Sequence, residues 1–255
     1  FQYLPPLERL PFLKSLELRD LNDLEDIYYE EPILRESFFP SLESLHFYKC
    51  YKLKGWRRIG DVFNDINSSS NLLLLQFPCL SKLAVRECWM LTYMPTFPNI
   101  KSLSLSGYSA EILEATLTIA ASQYSSSIGC TPLSMLKSLQ INETIMDVKN
   151  IPQDWLQNLT SLKNLEFNYL SSQHFQVIEI WFKDNLNCLP SLQRITFEGC
   201  LFLSTLPDWI CNISSLQHIR VKRCRELALL PEGMPRLTNL HTLEVIECPL
   251  LGEEC

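Results

Sequence analysis

Three stretches toward the C-terminal end of this chain superimpose without a gap. Leu192 to Leu203 reads L-Q-R-I-T-F-E-G-C-L-F-L, Leu216 to Leu227 reads L-Q-H-I-R-V-K-R-C-R-E-L, and Leu240 to Leu251 reads L-H-T-L-E-V-I-E-C-P-L-L, each starting 24 residues after the one before. The shared frame is L-x-x-L-x-L-x-x-C-x-x-L, with other apolar residues standing in for Leu. Its x-L-x-L-x core alternates with the period of two that marks a half-buried strand. A single strand of this kind cannot bury its apolar side. Stacked in parallel, successive copies bury a continuous apolar spine and pair each backbone with its neighbours.

The frame recurs upstream at Leu13-Leu16-Leu18-Leu21-Leu24, Leu42-Leu45-Phe47-Cys50-Leu53 and Leu80-Leu83-Val85-Cys88-Leu91. A degenerate copy starts at Ile100-Leu103-Leu105, followed by Leu136-Leu139-Ile141 and Leu162-Leu165-Phe167-Leu170. Nine copies in one frame predict an α/β repeat fold. The expected architecture is a leucine-rich-repeat solenoid, an arc with a parallel β-sheet on its concave face and irregular loops and short helices on the convex side. The whole of 1–255 reads as one repeat domain, and because the chain opens at Phe1 inside a repeat, a fragment of a longer protein is expected.

The segments between strands should form the convex return. Met94-Pro95, Ile151-Pro152, Leu206-Pro207 and Leu230-Pro231 place a proline where an extended run must stop and turn. Asp154 and Asp208 each precede a Trp and a short apolar pattern, as N-caps of one- or two-turn helices would. Long spacings hold insertions. Gly55 to Pro78, with Trp56, Arg57 and Arg58 ahead of the polar run Asn67 to Asn71, reads as an exposed loop. Ser109 to Gln123 reads as a short amphipathic helix. His174 to Leu186 places Phe175, Ile178, Trp181 and Phe182 on one helical face, a stripe suited to packing on a core.

The net charge of −7 argues against general nucleic-acid binding, which needs surplus Lys and Arg to neutralise phosphate. The longest uncharged run, Ala115 to Leu136, is rich in Ser, Thr, Gln and Tyr, so no membrane span is expected. There is no signal-peptide pattern. Five of the 10 cysteines, Cys50, Cys88, Cys200, Cys224 and Cys248, occupy one repeat slot. A disulfide framework does not repeat in that way, and no C-x-x-C pair offers a zinc site. They read as small, buried, reduced residues whose thiols satisfy loop backbone, which points to cytosol or nucleus. Sequons at Asn67, Asn142, Asn158 and Asn212 would fit secretion but are opposed by that thiol pattern. His46, His174, His218 and His241 form no ligand pattern. With 7 glycines and no phosphate-cradling, nucleophile-elbow or metalloprotease motif, neither a catalytic residue nor a cofactor site is expected.

Function should then lie in the residues that alternate with the buried ones. Candidate contacts on the concave face are His46, Tyr48, Lys82, Arg86, Gln140, Asn142, Glu166, Asn168, Arg194, Glu198, His218, Arg220, Lys222 and Glu244. The eighth copy is the most basic, with Arg223 and Arg225 extending Arg220 and Lys222. Two readings apply to it: a steering patch for an acidic partner, or a solvated ridge offset by Glu198, Glu226, Glu244 and Glu247.

Some phrases are more particular than the repeat. L-P-P-L-E-R-L-P-F-L-K-S-L-E-L at Leu4 to Leu18 and F-F-P-S-L-E-S-L-H-F-Y-K-C-Y-K-L-K-G-W at Phe38 to Trp56 resemble plant intracellular immune receptors of the coiled-coil, nucleotide-binding, leucine-rich-repeat type. L-P-D-W-I at Leu206 to Ile210 and E-C-P-L-L at Glu247 to Leu251 resemble the C-terminal end of that repeat domain. The resemblance implies a domain that recognises a pathogen effector or a guarded host protein. It also implies a domain that restrains a nucleotide-binding switch lying outside this sequence. The competing function is the substrate-recognition repeat module of an F-box ubiquitin ligase; a third is an extracellular receptor ectodomain.

Overall fold

In a computed structural model, residues 2–30, 38–58, 76–92, 94–95, 97–108, 133–142, 155–183 and 189–252 are described. Every repeat copy carries a short parallel strand at its x-L-x-L-x core. The described chain falls into two compact units, one made mainly of residues up to 133 and the other of residues from 134 onward.

Unit 1 pairs four such strands in the order β2 (Ser15–Arg19), β4 (Ser44–Tyr48), β6 (Lys82–Cys88) and β7 (Ser102–Tyr108). The register keeps the repeat in phase: Leu16 lies beside Leu45, Leu45 beside Leu83 and Leu83 beside Leu103. Leu45, Phe47, Leu83, Val85, Leu103 and Leu105 are all buried, whereas the residues between them are open. In unit 2, β8 (Ser138–Asn142), β9 (Asn164–Asn168), β10 (Arg194–Glu198), β11 (His218–Lys222) and β12 (Thr242–Ile246) pair in chain order. Ile195, Phe197, Ile219 and Val221 are buried there. Leu243 and Val245 of β12, the last strand in this order, are 40% and 37% exposed.

The conserved-looking frame has a backbone explanation. Leaving the strand, the chain enters the left-handed region at the residue before the Cys slot, as at Asp20, Lys49, Glu87, Tyr169, Gly199, Arg223 and Glu247. Non-glycine residues adopt this at a cost of about 1–2 kcal/mol. The turn aims each N–H at the neighbouring repeat: Lys49 donates to Arg86 O at 3.0 Å, Tyr169 to Glu198 O at 2.8 Å and Arg223 to Ile246 O at 2.9 Å. The carbonyl of the Cys slot then accepts from the Leu three residues on, as in Leu53 N to Cys50 O at 3.2 Å and Leu227 N to Cys224 O at 3.2 Å. The five slot thiols are buried and reduced. Cys50 lies within 3.5 Å of Leu18 O and Cys200 within 3.5 Å of Phe167 O, carbonyls of the preceding repeat. Hydrogen bonding to Cys50 and burial push the Cys88 thiol well above the usual range, and Cys224 and burial do the same to Cys200.

A second ladder runs just ahead of the strands. Ser41 Oγ donates to Pro11 O at 2.6 Å, Asn99 Nδ2 to Pro78 O at 2.7 Å, Ser191 Oγ to Thr160 O at 2.7 Å and Asn239 Nδ2 to Ser214 O at 2.8 Å. Each of these side chains sits one residue before the first Leu-type position and ties its turn to the equivalent turn of the repeat before it.

The exposed loop expected from Gly55 is, over its first four residues, a strand instead. β5 (Gly55–Arg58) pairs in parallel with β3 (Asp26–Tyr29), and β3 with β1 (Tyr3–Leu4), making a second sheet in unit 1. There the loop reading fails because Trp56 belongs to the core: it is buried and meets Phe47 and Phe77 edge-on, each with ring centroids 5.6 Å apart; the expected polar run Asn67 to Asn71 lies outside the described residues. Phe77 continues to Phe38 and Phe39, so the two sheets of unit 1 enclose an aromatic core. Asp26, beside Trp56's strand, is buried 3.6 Å from Arg57, and burial raises its carboxyl above the usual range against the opposing pull of that guanidinium.

Unit 2 bears out the helical stripe at Phe175, Ile178 and Phe182; the Trp181 side chain and residues 184–186 lie outside the described residues. Helix α1 (Ser172–Lys183) buries Phe175, Ile178 and Phe182, and Phe182 stacks on Trp209 with centroids 3.8 Å apart. Its start is closed by Ser171 and His174: the Ser171 N–H donates to His174 Nδ1 at 3.1 Å, the reciprocal side of a capping box. Asp208 is not the N-cap it was expected to be. Pro207 holds that position, without a side-chain capping bond, and Asp208 opens the short 3-10 helix Asp208–Asn212. Pro207, fixed at φ −62 and ψ 134, makes the extended entry to the turn, so the helix starts one residue later and Asp208 stands in its first turn. The expected helix at Ser109–Gln123 and the expected cap at Asp154 lie outside the described residues.

Candidate protein-binding face

The register that buries the apolar positions lines up their neighbours in columns. On unit 1, Glu17, His46, Ala84 and Ser104 form the middle column; Arg19, Tyr48, Arg86 and Ser106 form the next. On unit 2 the equivalent columns are Gln140, Glu166, Thr196, Arg220 and Glu244, and Asn142, Asn168, Glu198, Lys222 and Ile246. All fourteen predicted contacts therefore fall on the outward side of the repeat strands. They are not equally available. Lys82, Arg86, Arg194, Arg220 and Glu244 are exposed, and His46, Tyr48, Gln140, Asn142, Glu166, Glu198, His218 and Lys222 are half-buried. Asn168 is buried: its Nδ2 donates to Asn142 Oδ1 at 2.8 Å, so it is a strut within the sheet face rather than a free contact. Its neighbours close over it because Asn142 and Glu198 flank it in register.

Charge sorts the residues further. In unit 1 Arg19 is held by Glu17 and lies over the Tyr48 ring, 5.0 Å from its centroid; Lys49 lies over the same ring at 5.1 Å. Ser44 Oγ and His46 Nε2 are 3.1 Å apart. In unit 2 the basic eighth copy is mostly neutralised by the strands beside it. Arg220 meets Glu244 at 3.4 Å, Lys222 meets Glu198 at 3.1 Å, and Arg223 meets Glu247 at 2.8 Å and Glu198 at 3.8 Å. The ridge reading holds for these three. Exposed pairs of this kind are worth about 0–1 kcal/mol each, so they cancel local potential more than they stabilise. Arg225 has no such partner among the described residues. It borders a cleft of about 870 Å³ with Tyr169, Leu201, Val245 and Leu251.

No group of three or more His, Cys, Asp or Glu that could hold a metal ion occurs among the described residues, and no described helix is long and apolar enough to cross a membrane.

No protein-family model matches the chain. A disease resistance protein of Arabidopsis thaliana, RPP13-like protein 1, is 23% identical over 225 residues, covering 78% of this chain. The chain has a leucine-rich-repeat fold and is similar to a plant disease resistance protein. It spans 19% of that relative's length. Among solved structures, the leucine-rich repeat domain of the type III effector XopL aligns with 93% of this repeat domain and 70% of its own chain, at 20% identity and a TM-score of 0.44. The TLR13–ssRNA13 complex aligns over 95% of this chain and 40% of its own, at 14% identity and a TM-score of 0.33.

Sequence reasoning missed two kinds of site feature. The pairing of Arg220, Lys222 and Arg223 needed the register of β10, β11 and β12. The exposed Tyr169 did have a signal: it stands in the slot before the Cys position, where the chain turns out of the strand, and its ring covers Gly199 in the next repeat.

Proposed function

We propose that this repeat domain is the recognition end of an intracellular plant immune receptor. Its outward strand face binds a pathogen effector or a guarded host protein, in the cytoplasm or nucleus, and in the whole receptor it also restrains the nucleotide-binding switch until recognition. One observation carries the reading. In both units the register fixes a rigid apolar interior and leaves columns of varied polar and aromatic side chains on one side, a surface that can change without disturbing the fold. The likeness to a plant resistance protein supplies the biological setting.

The test is capture of a panel of pathogen effectors and host defence proteins by the chain and by Tyr48→Ala and Arg194→Glu variants. Aromatic and arginine side chains carry a disproportionate share of interface energy. A specific partner whose capture drops about tenfold or more with either variant, at unchanged circular dichroism, is the expected result. Partners captured equally well by both variants would refute binding through this face.

A further inference from the structure

Unit 1 carries a charge imbalance that its own fold does not resolve. Lys82 and Arg86 both project outward from β6 and both are exposed, one on either side of Ala84. Four residues along a strand span about 13 Å. Among the described residues neither side chain has a carboxylate partner, whereas Arg19 is held by Glu17, Arg220 by Glu244 and Lys222 by Glu198; Arg194 of β10 also lacks one but has no second unpaired cation on its strand. Of the carboxylates on β2, β4, β6 and β7 among the described residues, Glu17 is occupied by Arg19, and Glu87, at the turn that ends β6, accepts from the Tyr51 hydroxyl at 3.3 Å. On the β7 side the outward residues, Ser102, Ser104 and Ser106, are small and uncharged, and with Ala84 they let a chain approach the sheet closely between the two cations, while His46 and Tyr48 stand on the β4 side. The face is thus positive on a protein whose net charge is −7.

We propose that this face of unit 1 receives an acidic segment of the partner protein, with two carboxylates about 13 Å apart pairing with Lys82 and Arg86 and the intervening backbone lying over Ala84. The inference rests on the recognition reading above and gives the partner its chemistry. In an extended segment that separation corresponds to acidic residues four positions apart. The Ser102 and Ser106 hydroxyls beside the path can donate to the segment's backbone carbonyls, and Tyr48, already flanked by Arg19 and Lys49, bounds it on one side.

The test is an array of immobilised extended peptides carrying two glutamates at separations from about two to about eight residues, each with a glutamine counterpart, probed with the labelled chain. Binding should be strongest near a separation of four, weaken at physiological relative to low ionic strength, and fall about tenfold or more for Lys82→Glu with Arg86→Glu. Arg225→Glu, which reverses an equally unpaired arginine of unit 2, should bind as the parent chain does. Circular dichroism of each variant reports that it folds, and the milder Lys82→Gln with Arg86→Gln serves if the reversal does not. Absence of binding, equal binding to glutamine peptides, no dependence on separation, or equal loss in Arg225→Glu would each overturn the proposal. A chain that fails here but still captures its protein partner through the strand face leaves the functional reading intact. One that passes here but captures no partner overturns that reading instead.

Discussion

Trp56 offers the sharpest check on the fold, because it turns a segment that reads as loop into core. The indole is 4% exposed and packs edge-on between Phe47 and Phe77, yet its Nε1 is buried without a hydrogen-bond acceptor among the described residues. Two effects therefore oppose each other in Trp56→Phe. Losing about two ring carbons costs about 1.5 kcal/mol at ~0.8 kcal/mol per buried carbon. Removing an unpaired buried donor returns about 1–3 kcal/mol. The net change should lie between a loss of about 0.5 kcal/mol and a gain of about 1.5 kcal/mol. Trp56→Ala removes the same donor but the whole ring with it, and should still cost about 3–5 kcal/mol, as large-to-small changes in aromatic cores do. Urea unfolding followed by far-ultraviolet circular dichroism gives both numbers if the slope of the transition is unchanged. Amide exchange should localise the Trp56→Ala damage to β3, β5 and the adjoining β4, since repeats couple to their neighbours. A Trp56→Ala cost below about 1 kcal/mol would mean that the side chain is not in the core. A Trp56→Phe cost as large as that of Trp56→Ala would mean that the indole N–H is satisfied after all.

Two further predictions follow from buried strain. Burial raises the Asp26 carboxyl, so the folded state binds its proton more tightly than the unfolded chain does. The ionised form costs stability once pH rises through the raised folded value. Asp26→Asn should therefore raise Tm at neutral pH, with the gain shrinking as pH falls toward 3.8, the ordinary carboxyl value; a loss of Tm at neutral pH would show that the Arg57 pair outweighs desolvation. Gly199 has φ +64, and a Cβ there would lie 2.5 Å from the Tyr169 ring. Gly199→Ala should cost about 1–3 kcal/mol in urea unfolding, and combining it with Tyr169→Ala should recover the part due to the clash; strict additivity in that double-mutant cycle would rule the contact out.

Most of the scaffold was legible because it repeats. Alternation in L-x-x-L-x-L marks the strand and its buried side together, and the Cys slot marks where the chain turns inward, so Leu45, Phe47 and Cys50 could all be placed from spacing alone. The second sheet of unit 1 was harder to see because its strands are four residues or fewer and its copies are few. It left one trace: Asp26 and Gly55 stand 29 residues apart, as do Ser15 and Ser44, so the second sheet obeys the same period as the first. Asp-Ile-Tyr-Tyr and Gly-Trp-Arg-Arg share no pattern that a single copy reveals, and Trp56 beside two arginines reads as surface until Phe47 is known to lie opposite.

The candidate site divides along the same line. Which residues face outward follows from parity along each strand, and all fourteen predicted contacts do. Which of them remain free depends on what lies one strand over, and parity says nothing about that. Arg220, Lys222 and Arg223 form the densest cluster of positive charge in the sequence, but parallel in-register pairing sets Glu244 beside Arg220 and Glu198 beside Lys222. Lys82 and Arg86 draw less notice in the sequence, yet the strands on either side of them present Ser44, Tyr48, Ser102 and Ser106. Arg19 is matched along its own strand by Glu17, but Arg220 and Lys222 are matched only by residues one repeat before or after them. The unmatched cation, rather than the most basic stretch, is therefore the better guide to where a partner's carboxylate can gain most.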